Sequence, residues 1–275
     1  MRFAFVVSRW LGYQIPNLFE APESLHEFEK ALELLKLNGF QGVELNLHLS
    51  DKSLLMRIKE AIKDSGLSLA AVGTGLLYGI EHLSFTDHDP VIRTRAVDAV
   101  KDLVKFASEF NSRVIIGMVR GSAPLDRENA AEYFSKCIQE CDSTARDSGI
   151  KLALEAINRY ETQSLNTAEE TASVIDRCDL RATGLLLDTF HMNIEERSIE
   201  RTISTYASRV EHFHIADSNR WPPGNGHLDI AALLERLKDS GYAGWVSTEA
   251  LPYPSRVEGI KETADYLRLH NLLAR

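Results

Sequence analysis

The chain has 275 residues, with 31 Lys and Arg against 40 Asp and Glu and a net charge of −9. That balance argues against non-specific binding to nucleic acid or to an anionic membrane. At 44% hydrophobic and 26% charged, with 16 Gly and 8 Pro, the composition is that of a globular protein with a large core, not of a disordered chain.

In chain order, the opening MRFAFVVSRW holds an apolar run of only five residues, too short for a signal-peptide core or a membrane span, so a cytoplasmic protein is expected. Short apolar runs then alternate with longer amphipathic stretches. The runs are FAFVV (3–7), GVELNL (42–47), LSLAAVG (67–73) and RVIIGMV (113–119), followed by KLALEAI (151–157), ATGLLLD (182–188), RVEHFHIA (209–216) and GWVSTEA (244–250). Between the first two, Leu25, Phe28, Leu32 and Leu35 recur at helical spacing before Gly39 supplies a stop. The segments LNGFQGVEL, KDSGLSLAAV, RDSGIKLAL and KDSGYAGWV all place a glycine between a helix end and the next strand. Nearly continuous apolar runs suit strands buried on both faces of a parallel sheet. Eight such units of about 34 residues, without a linker or composition break, predict one (β/α)₈ TIM barrel over 1–275 as a single domain, with a doubly wound open sheet as the structural alternative. Cys137, Cys141 and Cys178 have no metal-type spacing to a histidine and read as core thiols in a reducing compartment.

A barrel of this kind keeps its active site at the C-terminal strand ends, which makes polar residues that close an apolar run informative. Glu155 ends KLALE, Asp188 ends GLLLD, His214 lies late in VEHFHIAD, and Glu249 ends WVSTE. Consecutive barrel strands are neighbours, so these four converge on one side of the mouth. Two Glu, one Asp and one His form a hard donor set suited to one Mn²⁺, Mg²⁺ or Co²⁺ ion, and a cation would relieve the repulsion of three packed carboxylates. Each alone reads equally well as a helix cap or an ion-pair partner, and His214 alone as a core histidine, the role expected of His212. Recurrence on four adjacent strands favours the metal site. In the loops that follow, Glu161, His191 and Arg220 suit a small polyhydroxylated substrate, loop salt bridges or turn hydrogen bonds being the alternative, as for Arg159.

The blocks LEAINRYETQSLNT, LLLDTFHMNIEE, HFHIADSNRWPPGNGHLD and VSTEA resemble the signatures of the metal-dependent ketose 3-epimerases. This is the group of the xylose-isomerase-like barrel superfamily that contains the D-tagatose and D-psicose 3-epimerases. The resemblance runs over nearly the whole chain and is most specific from Lys151 to Pro252. It implies that Glu155, Asp188, His214 and Glu249 bind the metal, Mn²⁺ first. It also implies that Glu155 and Glu249 act as the acid/base pair, and that Glu161, His191 and Arg220 hold the substrate near its carbonyl. The first-half loops SRWLGYQIPNL and GTGLLYG depart from the sugar epimerases. VGTGLLY, IIGMVRG and DSNRWPPGNGH look closer to a subgroup acting on keto sugar acids, such as the 5-keto-L-gluconate epimerases. On that likeness Arg120 binds a substrate carboxylate, the alternative being an ion pair with an acidic loop residue such as Asp126.

The expected protein is an isomerase that inverts the carbon next to the keto group of a ketose or keto sugar acid through a metal-stabilised cis-enediolate. Glu155 on strand five and Glu249 on strand eight would flank the flat enediolate from its two faces. An aldose–ketose isomerase of the hydroxypyruvate- or xylose-isomerase type on the same site is the enzymatic alternative, and a sugar-binding barrel with a structural metal is the non-enzymatic one. A DNA-repair endonuclease of the superfamily would need more ligands and a basic groove, against which the −9 charge weighs. The expected partner is a small sugar or keto sugar acid, with no nucleic acid or membrane, and a homo-oligomer, dimer or tetramer, is the expected assembly.

Overall fold

The computed structural model describes residues 1–7, 22–47, 52–125 and 129–274. The segment SRWLGYQIPNL and Asp126 lie outside the described residues. Eight strands form the barrel wall: β1 (Arg2–Val6), β2 (Gly42–Asn46), β3 (Ser68–Gly73), β4 (Val114–Ile116), β5 (Leu152–Glu155), β6 (Thr183–Asp188), β7 (Val210–Ile215) and β8 (Trp245–Thr248). They pair in chain order, every pairing is parallel, and β8 closes on β1. This is the predicted (β/α)₈ barrel. Around it lie α1 (Pro22–Leu37), α2 (Lys52–Ser65), α3 (Gly75–Gly79), α4 (Pro90–Ser108), α5 (Ala130–Asp147), α6 (Ala168–Arg177), α7 (Thr189–Glu195), α8 (Ile199–Tyr206), α9 (Ile230–Asp239) and α10 (Arg256–Leu269). Among the described residues no helix is long and apolar enough to cross a membrane.

The repeated glycine between helix and strand has one cause. Gly39, Gly66, Gly149 and Gly241 all take φ between 70° and 87°, the left-handed conformation that ends a helix and that a Cβ disfavours. The strands are shorter than the apolar runs that predicted them. β4 stops at Ile116, and a 3₁₀ turn, Met118–Arg120, follows Gly117. Ala156, Ile157, Ala216 and Ala250 continue their runs past the strand ends but are buried, so apolar character there reflects packing under the mouth loops and not strand pairing. The three cysteines are free and buried.

Strand side chains alternate, and the alternation positions the site. Leu152 and Leu154, Leu185 and Leu187, and Phe213 and Ile215 join the large cluster shared with the helices. Ala153 and Leu186 belong to a separate small cluster with Ala71 and Ile115, which fills the barrel interior. Two residues further along the inward face come Glu155 and Asp188. On β7 the same parity holds His212 and His214.

Candidate active site

At the mouth, Asp188 is aimed by local backbone chemistry. Asp188 is fully buried; its Oδ1 accepts the backbone N–H groups of Phe190 (2.6 Å) and His191 (3.2 Å) and so caps α7. Its Oδ2 has no hydrogen-bond partner and lies 3.7 Å from Nδ1 of His214. That Nδ1 is also buried without a partner, and Oε2 of Glu249 stands 3.6 Å from it. The capping reading and the ligand reading of Asp188 are therefore compatible, one for each oxygen. Glu155, Asp188, His214 and Glu249 each offer an atom within 4.8 Å of one another. Buried polar atoms seldom go without a partner, and this donor set of three carboxylates and an imidazole suits a divalent cation.

The loop residues form a second ring. Oε1 of Glu155 faces Nε2 of His191 at 3.7 Å. The amide of Asn158 donates to Nδ1 of His191 at 2.7 Å and to Glu161 at 3.0 Å. An amide donor on Nδ1 leaves the proton of this imidazole on Nε2. Arg220 donates to Glu161 at 2.8 Å, approaches Glu249 at 3.5 Å, and lies over the ring of Phe190. The loop carrying Arg220 is built on Asp217, a fully buried residue whose carboxylate accepts from the backbone N–H groups of Ser218 (2.7 Å), Gly224 (2.9 Å) and Leu228 (3.0 Å).

Arg120 departs from its sequence assignment. It is 1% exposed and donates to the backbone carbonyl of Glu155, to Thr162 Oγ1 (3.0 Å) and to the Ser164 carbonyl (3.1 Å). Its Nη1 and Nη2 thus hold the chain after β5, its buried Nε has no hydrogen-bond partner, and it is not among the residues lining the mouth cavity. Sequence cannot show this, because the partners are mostly main-chain carbonyls brought there by the fold. Arg159 forms the loop ion pair, with Glu195, at 2.7 Å.

Patterning along the chain does not single out Glu44 on β2, yet it sits beside the site. It is 1% exposed, and its carboxylate meets Nε2 of His212 at 2.7 Å and Nε2 of His214 at 3.0 Å. The one available signal is a lone carboxylate inside the apolar run GVELNL. His212 is wholly buried and also contacts Ser247 Oγ at 3.0 Å through Nε2, but its Nδ1 has no hydrogen-bond partner, so it is only half satisfied as a core histidine.

Crowding sets the protonation of the cluster. Burial, then the charges of Glu249 and Asp188, push the Glu155 carboxyl up to about 8. Burial, with Glu249 adding to it, lifts Asp188 to about 6 against the pull of His214. Burial opposes ionisation of Glu249 as well, but His214 and Arg220 outweigh it and hold that carboxyl low. Burial works against a proton on His214, yet Glu44 and Glu249 hold its pKa well above the usual range. Burial and nearby Arg220 keep His191 neutral. A cation at the centre would displace the excess protons and replace their compensation of the carboxylates.

A family model described as the xylose isomerase-like TIM barrel matches residues 32–270. The chain belongs to that family. It is 28% identical over 246 residues to the D-psicose 3-epimerase of Enterocloster bolteae, covering 85% of this chain and 80% of the relative. It is 26% identical over 238 residues to the 3-dehydro-D-guloside 4-epimerase of Escherichia coli K12, covering 83% and 87%. Both relatives are carbohydrate epimerases, enzymes of the isomerase class. The crystal structure of the 3-keto-D-glucoside 4-epimerase of E. coli in its apo form superposes with a TM-score of 0.79 over 98% of this chain and 99% of that one, at 21% identity, a likeness of fold.

Proposed function

We propose that this chain is a divalent-metal-dependent sugar epimerase that inverts the carbon beside a keto group. The observation that carries the reading is the grouping of Glu155 and Glu249, from β5 and the end of β8, with the unpartnered Asp188 Oδ2 and His214 Nδ1. The relatives support it through their chemistry. D-psicose is a 2-ketose, so carbon 3 adjoins its carbonyl, and in a 3-dehydro sugar carbon 4 does. Both names therefore describe inversion of a carbon next to a ketone.

Glu155, Asp188, His214 and Glu249 would hold the cation, Mn²⁺ first, with Mg²⁺ and Co²⁺ as alternatives. When bound, it would supply Lewis-acid polarisation of a ketone oxygen and offset the negative charge that develops on proton removal by several kcal/mol. Two carboxylates reaching the substrate from non-adjacent strands provide a base for one face and an acid for the other. His191, with its Nε2–H turned toward Glu155, and the Glu161–Arg220 pair supply donors and acceptors for carbonyl and hydroxyl groups. Incubation with Mn²⁺ in heavy water tests the reading on a panel of neutral 2-ketoses, 3-keto glycosides and keto sugar acids. Deuterium beside the carbonyl of an inverted product is expected. No exchange with any panel member under Mn²⁺, Mg²⁺ or Co²⁺ would overturn the proposal, and deuterium in an aldose product would replace it with aldose–ketose isomerisation.

A further inference from the structure

The carboxylate of Glu44 lies outside the four-residue cluster, yet it makes the closest polar contacts of the histidine in that cluster. β2 and β7 are not neighbours in the barrel wall, so Glu44 reaches His214 across the interior. Its Oε1 and Oε2 stand 3.0 Å and 3.2 Å from Nε2 of His214, and Oε2 also meets Nε2 of His212 at 2.7 Å. The two ring nitrogens of an imidazole point to opposite sides. With Nε2 turned to Glu44, Nδ1 is turned to Asp188 Oδ2 at 3.7 Å and Glu249 Oε2 at 3.6 Å, where it has no partner of its own.

We propose that Glu44 is a positioning residue which accepts the Nε2–H of His214 and so fixes the tautomer and direction of the ring, leaving the Nδ1 lone pair for the cation. The inference rests on the metal reading of the Glu155, Asp188, His214 and Glu249 cluster and adds the group that prepares its only nitrogen ligand. A carboxylate behind a ligating histidine orients the ring and raises its basicity, and removing such a partner costs about 10- to 100-fold in metal affinity. His212 completes the arrangement by a second contact to Oε2, which limits rotation of the Glu44 carboxylate. The geometric rival is a cation held by Glu44, His212 and His214 themselves, since these three also offer atoms within 4.8 Å of one another. In that case Nε2 of His214, not Nδ1, would be the ligand.

Long-range proton–nitrogen spectra of the ¹⁵N-labelled full chain loaded with Zn²⁺ decide between these directly, without turnover. Expected is one imidazole that binds Zn²⁺ through Nδ1 while keeping its proton on Nε2; a ligand ring bound through Nε2 overturns the proposal. In calorimetric titration with Co²⁺, Glu44→Gln, which keeps the shape and removes the charge, is expected to bind one ion about 10- to 100-fold more weakly than the parent. Parental affinity in a folded Glu44→Gln protein also overturns it. Should that variant not fold, the Zn²⁺ spectra of the unaltered chain still decide which nitrogen is the ligand. Failure of the metal reading itself looks different: the parent takes up neither ion, or Asp188→Ala binds Co²⁺ as tightly as the parent.

Discussion

The two sides of the barrel mouth use the same backbone positions for opposite purposes. At the inward-facing C-terminal ends, β5 to β8 carry or are followed by Glu155, Asp188, His214 and Glu249, whereas β2 and β3 end at Asn46 and Gly73 and β4 is followed by Gly117. A Cβ on Gly73 would stand 1.9 Å from Asn46 Oδ1, and one on Gly117 would stand 2.8 Å from Glu155 Oε2. Among the described residues one side converges donor atoms, whereas on the other, barer side Gly73 leaves room for the Asn46 side chain and Gly117 for that of Glu155. The repeating scaffold thus divides donors from space, and Glu44, one pleat below Asn46, is the exception that reaches across from the bare side.

The largest effect should come from removing a donor on the crowded side. Asp188→Ala deletes both the cap of α7 and the unpartnered oxygen, and metal-dependent activity should fall to background with calorimetric loss of Mn²⁺ binding. Parental Mn²⁺ affinity in that variant would mean that the crowded side is not the metal site. Next come Glu155→Gln and Glu249→Gln, each expected to lose about 10²- to 10⁴-fold in net epimerisation. If the two serve opposite faces, each metal-loaded variant keeps slow deuterium exchange on a different epimer. Exchange of the same epimer by both, with metal content measured in parallel, would leave the two-face assignment without support.

Asp217 tests whether the loop after β7 acts through position alone. Burial would raise its carboxyl, but the backbone N–H groups of Leu228, Ser218, Gly226 and Gly224 hold it below the usual aspartate range. A carboxyl with a depressed folded pKa stabilises the protein above its unfolded value of about 3.9, and that stability is lost as pH falls through the folded value. Asp217→Asn should therefore cost about 2 kcal/mol at neutral pH, read as a denaturation midpoint, and the gap to the parent should close below about pH 4. Activity should fall about 10-fold, because Arg220 is displaced by a fraction of an ångström. A gap that stays constant from pH 7 to about pH 3 would show that the ionised carboxylate is not what organises the loop.

How far the sequence can be read follows the same division. The eight strands are legible because parallel strands buried on both faces make continuous apolar runs, and the four candidate donors because three close the strand part of such a run and His214 lies late in one. GVELNL does alternate, with Glu44 and Asn46 on one face and Val43, Leu45 and Leu47 on the other, but nothing in it says that β2 faces β7 across the closed ring. The buried placement of Arg120 is not legible in the sequence for a related reason. Apart from Thr162 Oγ1, its partners, including the carbonyls of Glu155 and Ser164, are main-chain atoms that any residue types would have supplied. Side-chain chemistry at strand ends is written in the sequence, whereas contacts across the barrel are written in its closure.

The smallest effect is expected on the bare side, where it sharpens the comparison most. In Gly117→Ala, the atom that a Cβ would meet is Glu155 Oε2, at 2.8 Å. That atom ends a flexible side chain and can shift by a few tenths of an ångström, so stability should stay within about 1 kcal/mol of the parent. Glu155 is also a proposed ligand and base, however, and even a small displacement of a reacting group lowers rate. Turnover should drop about 5- to 10-fold, most of it in kcat. The loss should vanish in the Glu155→Gln background, since the two changes act on one carboxylate and are not additive. An equal loss in both backgrounds would place the effect of the methyl group elsewhere, in the space left for substrate, and would make the bare side a determinant of binding instead of room for Glu155.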